Sequence, residues 1–218
     1  MFIGHFAVAF AAKRAAPEVS LGTLFLAAQL ADLVWPTLVL FGVESFSIRP
    51  GLTAVTALDF TNYPYSHSLV ALGGWGFALG VAYYVMRRGV VGAALLFFVV
   101  LSPWVLDVAT HRPDMPLTIG GSARLGLGLW NSIAATVALE GVLFAVGVGV
   151  YARATRPLDR VGRWSFLALV VFLVLVYVAN IFGPPPPSVA AVAWSAQAIW
   201  LLVAWGYWID RHRAASRN

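Results

Sequence analysis

Four histidines, nine acidic residues and no cysteine are what this chain of 218 residues offers for binding a metal ion. Without thiols there is no disulfide, thiolate nucleophile or cysteine-held metal, so metal chemistry must use imidazole and carboxylate. The candidates are His5, Asp32, His67, Asp107, His111 and Asp114, all within the first 114 residues. Asp107 and His111, four apart near the end of an apolar run, are expected on one helical face, as two ligands of one ion would be. Pro113 disfavours helical geometry at Arg112 and turns Asp114 into the following loop. His67 stands in Tyr65-Ser66-His67-Ser68, where Ser66 is the expected N-cap of the next helix. Imidazole with carboxylate suits zinc, iron or manganese, and an oxygen-rich set suits magnesium or manganese.

Each group also has an ordinary reading. A lone histidine such as His5 more often makes an interfacial hydrogen bond than a metal bond. Asp107 could pair with Arg112 or Arg124, and Asp114 could cap the turn after Pro113. Asp32 is harder to explain that way. It lies about ten residues from the end of its apolar run, about 15 Å deep at 1.5 Å per residue. A charge there costs about 2.5 to 3.5 kcal/mol on insertion scales, so it needs a partner. His5, descending from the same side, reaches a similar depth. Glu140 lies about as deep in a later run, as a structural acid, a proton carrier or a partner to the site.

The elements that must position these groups are membrane spans. Hydrophobic residues make up 61% of the chain, charged residues 11%, and mean hydropathy is +0.83, too apolar for a soluble domain. Apolar runs predict helices over about residues 2–12, 20–42, 67–86, 91–109, 130–152, 164–182 and 190–208. The reading is an all-α polytopic bundle of about seven helices, the first one short. It is one transmembrane domain over 1–218, with residues 1–129 bearing the candidate site and 130–218 as scaffold. If all seven runs cross, one side receives Lys13, Arg14, Arg87, Arg88, Arg153, Arg156, Arg160, Arg163, Arg211, Arg213 and Arg217. The other side receives only Arg49, Arg112 and Arg124. That asymmetry places the N-terminus outside and the C-terminus in the cytoplasm. The net charge of +5 is thus a topology signal, and with no continuous basic face nucleic acid is not an expected partner. The outer loops 43–66 and 110–129 exceed the usual length and are expected to be functional. The prolines at 184–187 stop a helix.

The residues also resemble a family, the bacterial inner-membrane proteins described as LexA-regulated, predicted membrane-bound metal-dependent hydrolases. The likeness lies in Gly4-His5, in Leu30-Ala31-Asp32-Leu33-Val34-Trp35-Pro36, in Ser66-His67-Ser68, and in Leu106-Asp107 with Thr110, over roughly the first 120 residues. Val34, Trp35 and Pro103 stand where the family carries further ligand-type residues, and Asn62 and Tyr63 lie where it has an earlier histidine. The resemblance implies a divalent metal (zinc, manganese, iron or magnesium) on His5, Asp32, His67 and Asp107. His111 and Asp114 would replace some of the missing groups as base or acid, and Arg112 and Arg124 would hold an anionic substrate. A lipid-linked ester or phosphoester in the inner membrane is the expected substrate, with membrane lipids the surrounding partners. The alternatives are a small proton-coupled transporter using Asp32 and Glu140, or a structural membrane protein in which Gly126, Gly128, Gly147 and Gly149 aid close helix approach.

Overall fold

The computed structural model describes residues 1–216, so Arg217 lies outside the described residues. Among the described residues five helices are long and apolar enough to cross a membrane, α5 (Leu69–Arg87), α6 (Val90–Thr110), α7 (Ile133–Ala154), α8 (Arg160–Phe182) and the run Val189–Arg211. The last is interrupted, forming α9 (Val189–Ala196) and α10 (Ile199–Arg211). A bent pair, α2 (Leu21–Ala28) and α3 (Leu30–Leu40), makes a sixth crossing if taken as one. The described residues are mostly helical, with five helices, or six with the bent pair, that could span a membrane.

Two predicted helices are therefore more complex than their hydropathy. The run over 20–42 bends by 55° at Gln29, and Pro36, about two turns later, has no N–H to return to the carbonyl of Asp32. The first run does not reach across. It forms α1 (Ile3–Ala15), 13 residues and so about 20 Å, against about 30 Å of hydrocarbon. Instead α1 is buried along most of its length in the middle of the bundle, against α7, α2 and α6.

What holds α1 there is aromatic packing and one close backbone approach. Phe10 packs against Phe25 of α2, Phe144 and Tyr151 of α7 and Phe166 of α8, with ring centroids 5.1 to 6.2 Å apart. Gly147 of α7 lies against the backbone of Ala7, and a Cβ there would stand 2.4 Å from the Ala7 carbonyl oxygen. Backbone cannot yield as a side chain tip can, so Gly147→Leu should destabilise the protein by about 3 kcal/mol or more, read as the unfolding midpoint in detergent. Of the other glycines suspected of this role, Gly149 faces open space, while Gly126 and Gly128 belong to the α6–α7 loop.

The loops gather at two ends. At one, β5 (Thr155–Pro157) pairs antiparallel with β6 (Arg213–Ala215), and Lys13 Nζ reaches Asp210 Oδ2 at 3.0 Å and the Val19 carbonyl at 2.8 Å. The guanidinium of Arg213 lies over Phe166 and Tyr151 and donates to Thr155 and to the Gly162 carbonyl. Arg87 at the end of α5, beside Ser20 and Tyr207, and Arg156 of β5 share this end with Lys13. At the other end β1 (Ser45–Ile48) and β2 (Leu58–Asn62) form a hairpin, followed by the single turn α4 (Pro64–His67). The α6–α7 loop there holds β3 (Met115–Pro116) paired with β4 (Arg124–Leu125), then a 3₁₀ turn over Leu129–Asn131.

Candidate functional site

Asp32 lies in the first turn of α3, just past the bend, and its side chain is 27% exposed while the residues around it are closed off. His5 approaches from α1, with Nε2 3.8 Å from Asp32 Oδ2 and 3.4 Å from Asp107 Oδ2 of α6. His67 approaches from α4, with Nε2 3.5 Å from Asp32 Oδ1. His5, His67 and Asp107 are all buried. Asp107 Oδ1 also pairs with the amino group of Met1. Four segments distant in sequence thus converge as a string, from His67 through Asp32 and His5 to Asp107.

The string has a chemical peculiarity set by its neighbours. Glu44, buried in the loop after α3, accepts the backbone N–H groups of Tyr65 and Ser66 on Oε1 at 2.7 and 2.9 Å. Its Oε2 accepts the Ser66 hydroxyl at 2.6 Å. With its only proton directed at Glu44, Ser66 Oγ must accept from His67 Nδ1, 2.7 Å away. That assigns the Nδ1–H tautomer to neutral His67 and leaves Nε2 with its lone pair toward a carboxylate oxygen. The links to Asp32 are too long for hydrogen bonds. The His67–Asp32 spacing of 3.5 Å and the His5–Asp107 spacing of 3.4 Å match the roughly 3.3 to 3.5 Å between ligands of one tetrahedral ion bound at about 2.0 to 2.2 Å, whereas the His5–Asp32 spacing of 3.8 Å is longer. His5 Nδ1 is buried without a partner. Even so, among the described residues no three such side chains close around one point as a formed metal cage. The match is pairwise, in donor type and spacing.

Ser66 is therefore not the helix cap expected of it. Ser68 is, its hydroxyl accepting from Ala71 N at 3.1 Å at the start of α5. His67 sits in the single turn before, released to face Asp32.

Asp107 and His111 do not share a face. Helix α6 ends at Thr110, and His111 turns extended with ψ 154, although its N–H still reaches the Asp107 carbonyl at 2.7 Å. Asp107 faces α1, whereas His111 Nδ1 bonds Asp114 Oδ1 at 2.9 Å. The His111 ring packs on Trp130 and Phe60, with centroids 4.1 and 5.1 Å away. Tyr63 donates to Asp114 Oδ1 at 3.1 Å, and its ring lies 5.2 Å from His67 and 6.2 Å from His111, between the two groups. Burial pushes His111 below the ordinary imidazole range in spite of Asp114. Burial, then the Asp114 charge, pushes the Tyr63 phenol up, so it serves as a donor.

The two arginines differ. Arg112 is committed to carboxylates, at 2.6 Å from Asp59 Oδ1 and 3.6 Å from Asp114 Oδ2. Arg124 bonds only carbonyls of its own loop, those of Gly121 and Ala123, and stays exposed. Asp59 of β2 is shared by Arg112 and Arg49, and the hydrogen bond from Arg49, with the Arg112 charge, holds its carboxyl below the usual range. A depressed folded pKa contributes stability that is present above the unfolded value of about 3.9 and is lost as pH falls through the folded value. Proteolysis of the β1–β2 hairpin should therefore accelerate below about pH 4. Asp59→Asn should show the faster cleavage already at neutral pH.

Glu140 is buried beside the start of α1. Its Oε2 accepts the N–H groups of Phe2 and Gly4 at 2.8 and 3.3 Å, so a carboxylate from α7 caps the start of α1. Negative charge suits that end of a helix. Sequence reasoning missed Glu44, Tyr63 and Asp59. Glu44, one of few acids in an acid-poor chain, carried a weak signal, but its partners lie 21 and 22 residues on, across a hairpin.

Compared with family models, curated proteins and solved structures, the chain has no match, and its functional reading rests on the chemistry of this cluster.

Proposed function

We propose that this protein is a metal-dependent hydrolase of the bacterial inner membrane. Its basic end faces the cytoplasm and its histidine and aspartate cluster lies toward the outside. The observation that carries the reading is the facing of His67 Nε2, an acceptor in the neutral tautomer, and Asp32 Oδ1 at 3.5 Å, with His5 Nε2 opposite. Electron pairs opposed in a buried site repel unless a cation lies among them. The resemblance of Gly4-His5, Asp32, Ser66-His67-Ser68 and Asp107 to predicted metal-dependent hydrolases points the same way.

His5, Asp32, His67 and Asp107 would hold the ion. A divalent ion, if held there, would supply Lewis-acid activation of a water and of an acyl or phosphoryl oxygen. The protein's own groups do the rest. Glu44 and Ser66 fix the His67 ring. His111, oriented by Asp114 and neutral through burial, is placed to take or return a proton at its free Nε2. Arg124, with no carboxylate partner among the described residues, is available to an anionic head group. Arg112 braces Asp59 and Asp114 instead. A lipid-linked ester or phosphoester is the substrate class that fits a site embedded at this depth.

Elemental analysis of purified protein tests the reading. Wild type should carry about one equivalent of a divalent metal, and His67→Ala and Asp107→Ala should lose most of it. Metal-free wild type, or variants that keep all their metal, would leave a proton as the cation between His67 and Asp32 and remove the hydrolase chemistry. Because the chain has no cysteine, a single Ala54→Cys in the exposed β1–β2 loop also reports orientation. It should react with an impermeant thiol label from outside intact cells.

A further inference from the structure

At the basic end of the bundle an opening of about 290 Å³ lies between α2 and α5, each of which packs on α6, and Tyr207 of α10 closes one side. Residues at helical spacing build both walls. Ser20, Thr23 and Leu26 come from the start of α2, and Arg87, Tyr83 and Leu79 from the end of α5. The two segments run in opposite directions, so both walls change from polar at the rim to apolar toward the middle of the bundle. Tyr207 fits because Gly22 has no side chain, a Cβ there standing 2.3 Å from the tyrosine ring.

The rim is rich in unspent donors. The hydroxyls of Ser20, Thr23 and Tyr207 form a chain with links of 2.8 and 3.0 Å. Two links use two of the three hydroxyl protons, so one is left over whichever way the chain runs. Tyr83 is only 8% exposed, and its hydroxyl has no hydrogen bond among the described residues. Arg87 has no carboxylate partner among them either, whereas Arg88 turns left-handed at φ 58 and lies over the Tyr84 ring at 5.8 Å. The charge of exposed Glu18 reaches Tyr83, but Glu18 makes no ion pair with Arg87 among the described residues.

We infer that this opening binds the phosphate head group of an anionic phospholipid, with the start of an acyl chain against Leu26 and Leu79. An uncommitted guanidinium beside surplus hydroxyl donors calls for an acceptor-rich anion, and phosphate takes that set. Free phosphate has no use for the apolar inner half. An uncharged chain would cover the donors without satisfying them, at a cost. A phosphate joined to a hydrocarbon chain meets both halves in the order in which the walls present them. The position agrees, because Arg87 is the last residue of a helix long and apolar enough to span a membrane, where basic pockets between spans meet lipid head groups. His67 precedes α5 and Arg87 ends it, so this site stands apart from the histidine and aspartate cluster and does not depend on the hydrolase reading.

Native mass spectrometry of the full chain in detergent, titrated with dioleoylphosphatidylglycerol, measures the binding. Wild type should hold one lipid tightly. Arg87→Gln should weaken it about tenfold and Tyr83→Phe about fivefold, the losses of one charge-assisted and one neutral hydrogen bond. Tyr83→Phe keeps the ring that packs against Gly92, so its loss reports the hydroxyl and not the fold. Arg156→Gln removes an exposed arginine at the same end and should change the affinity by about twofold at most. Glu18→Gln removes a repelling charge and should tighten binding. Dioleoylglycerol, which has the chains without the phosphate, should bind about tenfold more weakly or worse, and millimolar inorganic phosphate should leave the lipid in place. Equal losses in Arg87→Gln and Arg156→Gln, or weaker binding in Glu18→Gln, would overturn the site in favour of diffuse attraction to a basic surface. Dioleoylglycerol bound as tightly as phosphatidylglycerol, or displacement of the lipid by inorganic phosphate, would overturn the phospholipid as its occupant.

Discussion

Asp32→Asn should weaken divalent-metal binding by a hundredfold or more while leaving the metal-free protein folded. The substitution keeps volume and shape but removes the one charge that both histidines face, at 3.5 and 3.8 Å. Removing one member of a buried charged set costs about 3 to 5 kcal/mol, more than two decades of affinity. The apo protein should tolerate it because the Asp32 side chain is partly open to its surroundings and α3 is held by α4 and α9. Competition with a chromophoric chelator measures the affinity, and thermal unfolding without metal checks the fold. An affinity within threefold of wild type would mean that Asp32 is not a ligand. Hydrolytic activity, once a substrate is in hand, should fall in parallel with bound metal.

Ser66→Ala should give the second largest loss. It touches neither Asp32 nor any ion, yet it removes the acceptor that holds His67 Nδ1–H and leaves Glu44 with one donor fewer. Groups that fix the tautomer of a metal-binding histidine are typically worth 10- to 100-fold in affinity, and this variant should fall in that range. Glu44→Gln should be milder in packing but alike in kind, since an amide oxygen can still take the Tyr65 and Ser66 N–H groups. Nitrogen-15 NMR of labelled histidine separates positioning from simple damage. In wild type His67 should show a protonated Nδ1 and an unprotonated Nε2, and in Ser66→Ala the two tautomers should mix. An unchanged tautomer with unchanged affinity would dismiss the Glu44 to Ser66 link as incidental.

How much of this was readable beforehand depends on whether the information was local. Hydropathy found every long span, because a helix in lipid must be apolar along its whole length. It could not tell that residues 2–12 form a buried helix short of crossing, since an apolar run looks the same whether it meets lipid or other helices. The bend at Gln29 was equally silent, as the residues on both sides are apolar. His5, Asp32, His67 and Asp107 could be singled out because ionisable groups at membrane depth are costly and few. Their meeting depends on α1 running up the middle of the bundle, which rests on Gly147 and the packing around Phe10. The expected pairing of Asp107 with His111 failed for a local reason, because the helix ends one residue sooner than the spacing rule requires. Glu44, Tyr63 and Asp59 were illegible because their partners come from segments brought near only by the β1–β2 hairpin and the α6–α7 loop.

The most direct test is X-ray absorption at the metal edge of the intact protein loaded with zinc or manganese. The spectrum should show two imidazole rings together with carboxylate oxygens, and His5→Ala and His67→Ala should each remove one ring. A spectrum without imidazole, or one that neither substitution alters, would show that the two histidines and Asp32 do not share a metal ion.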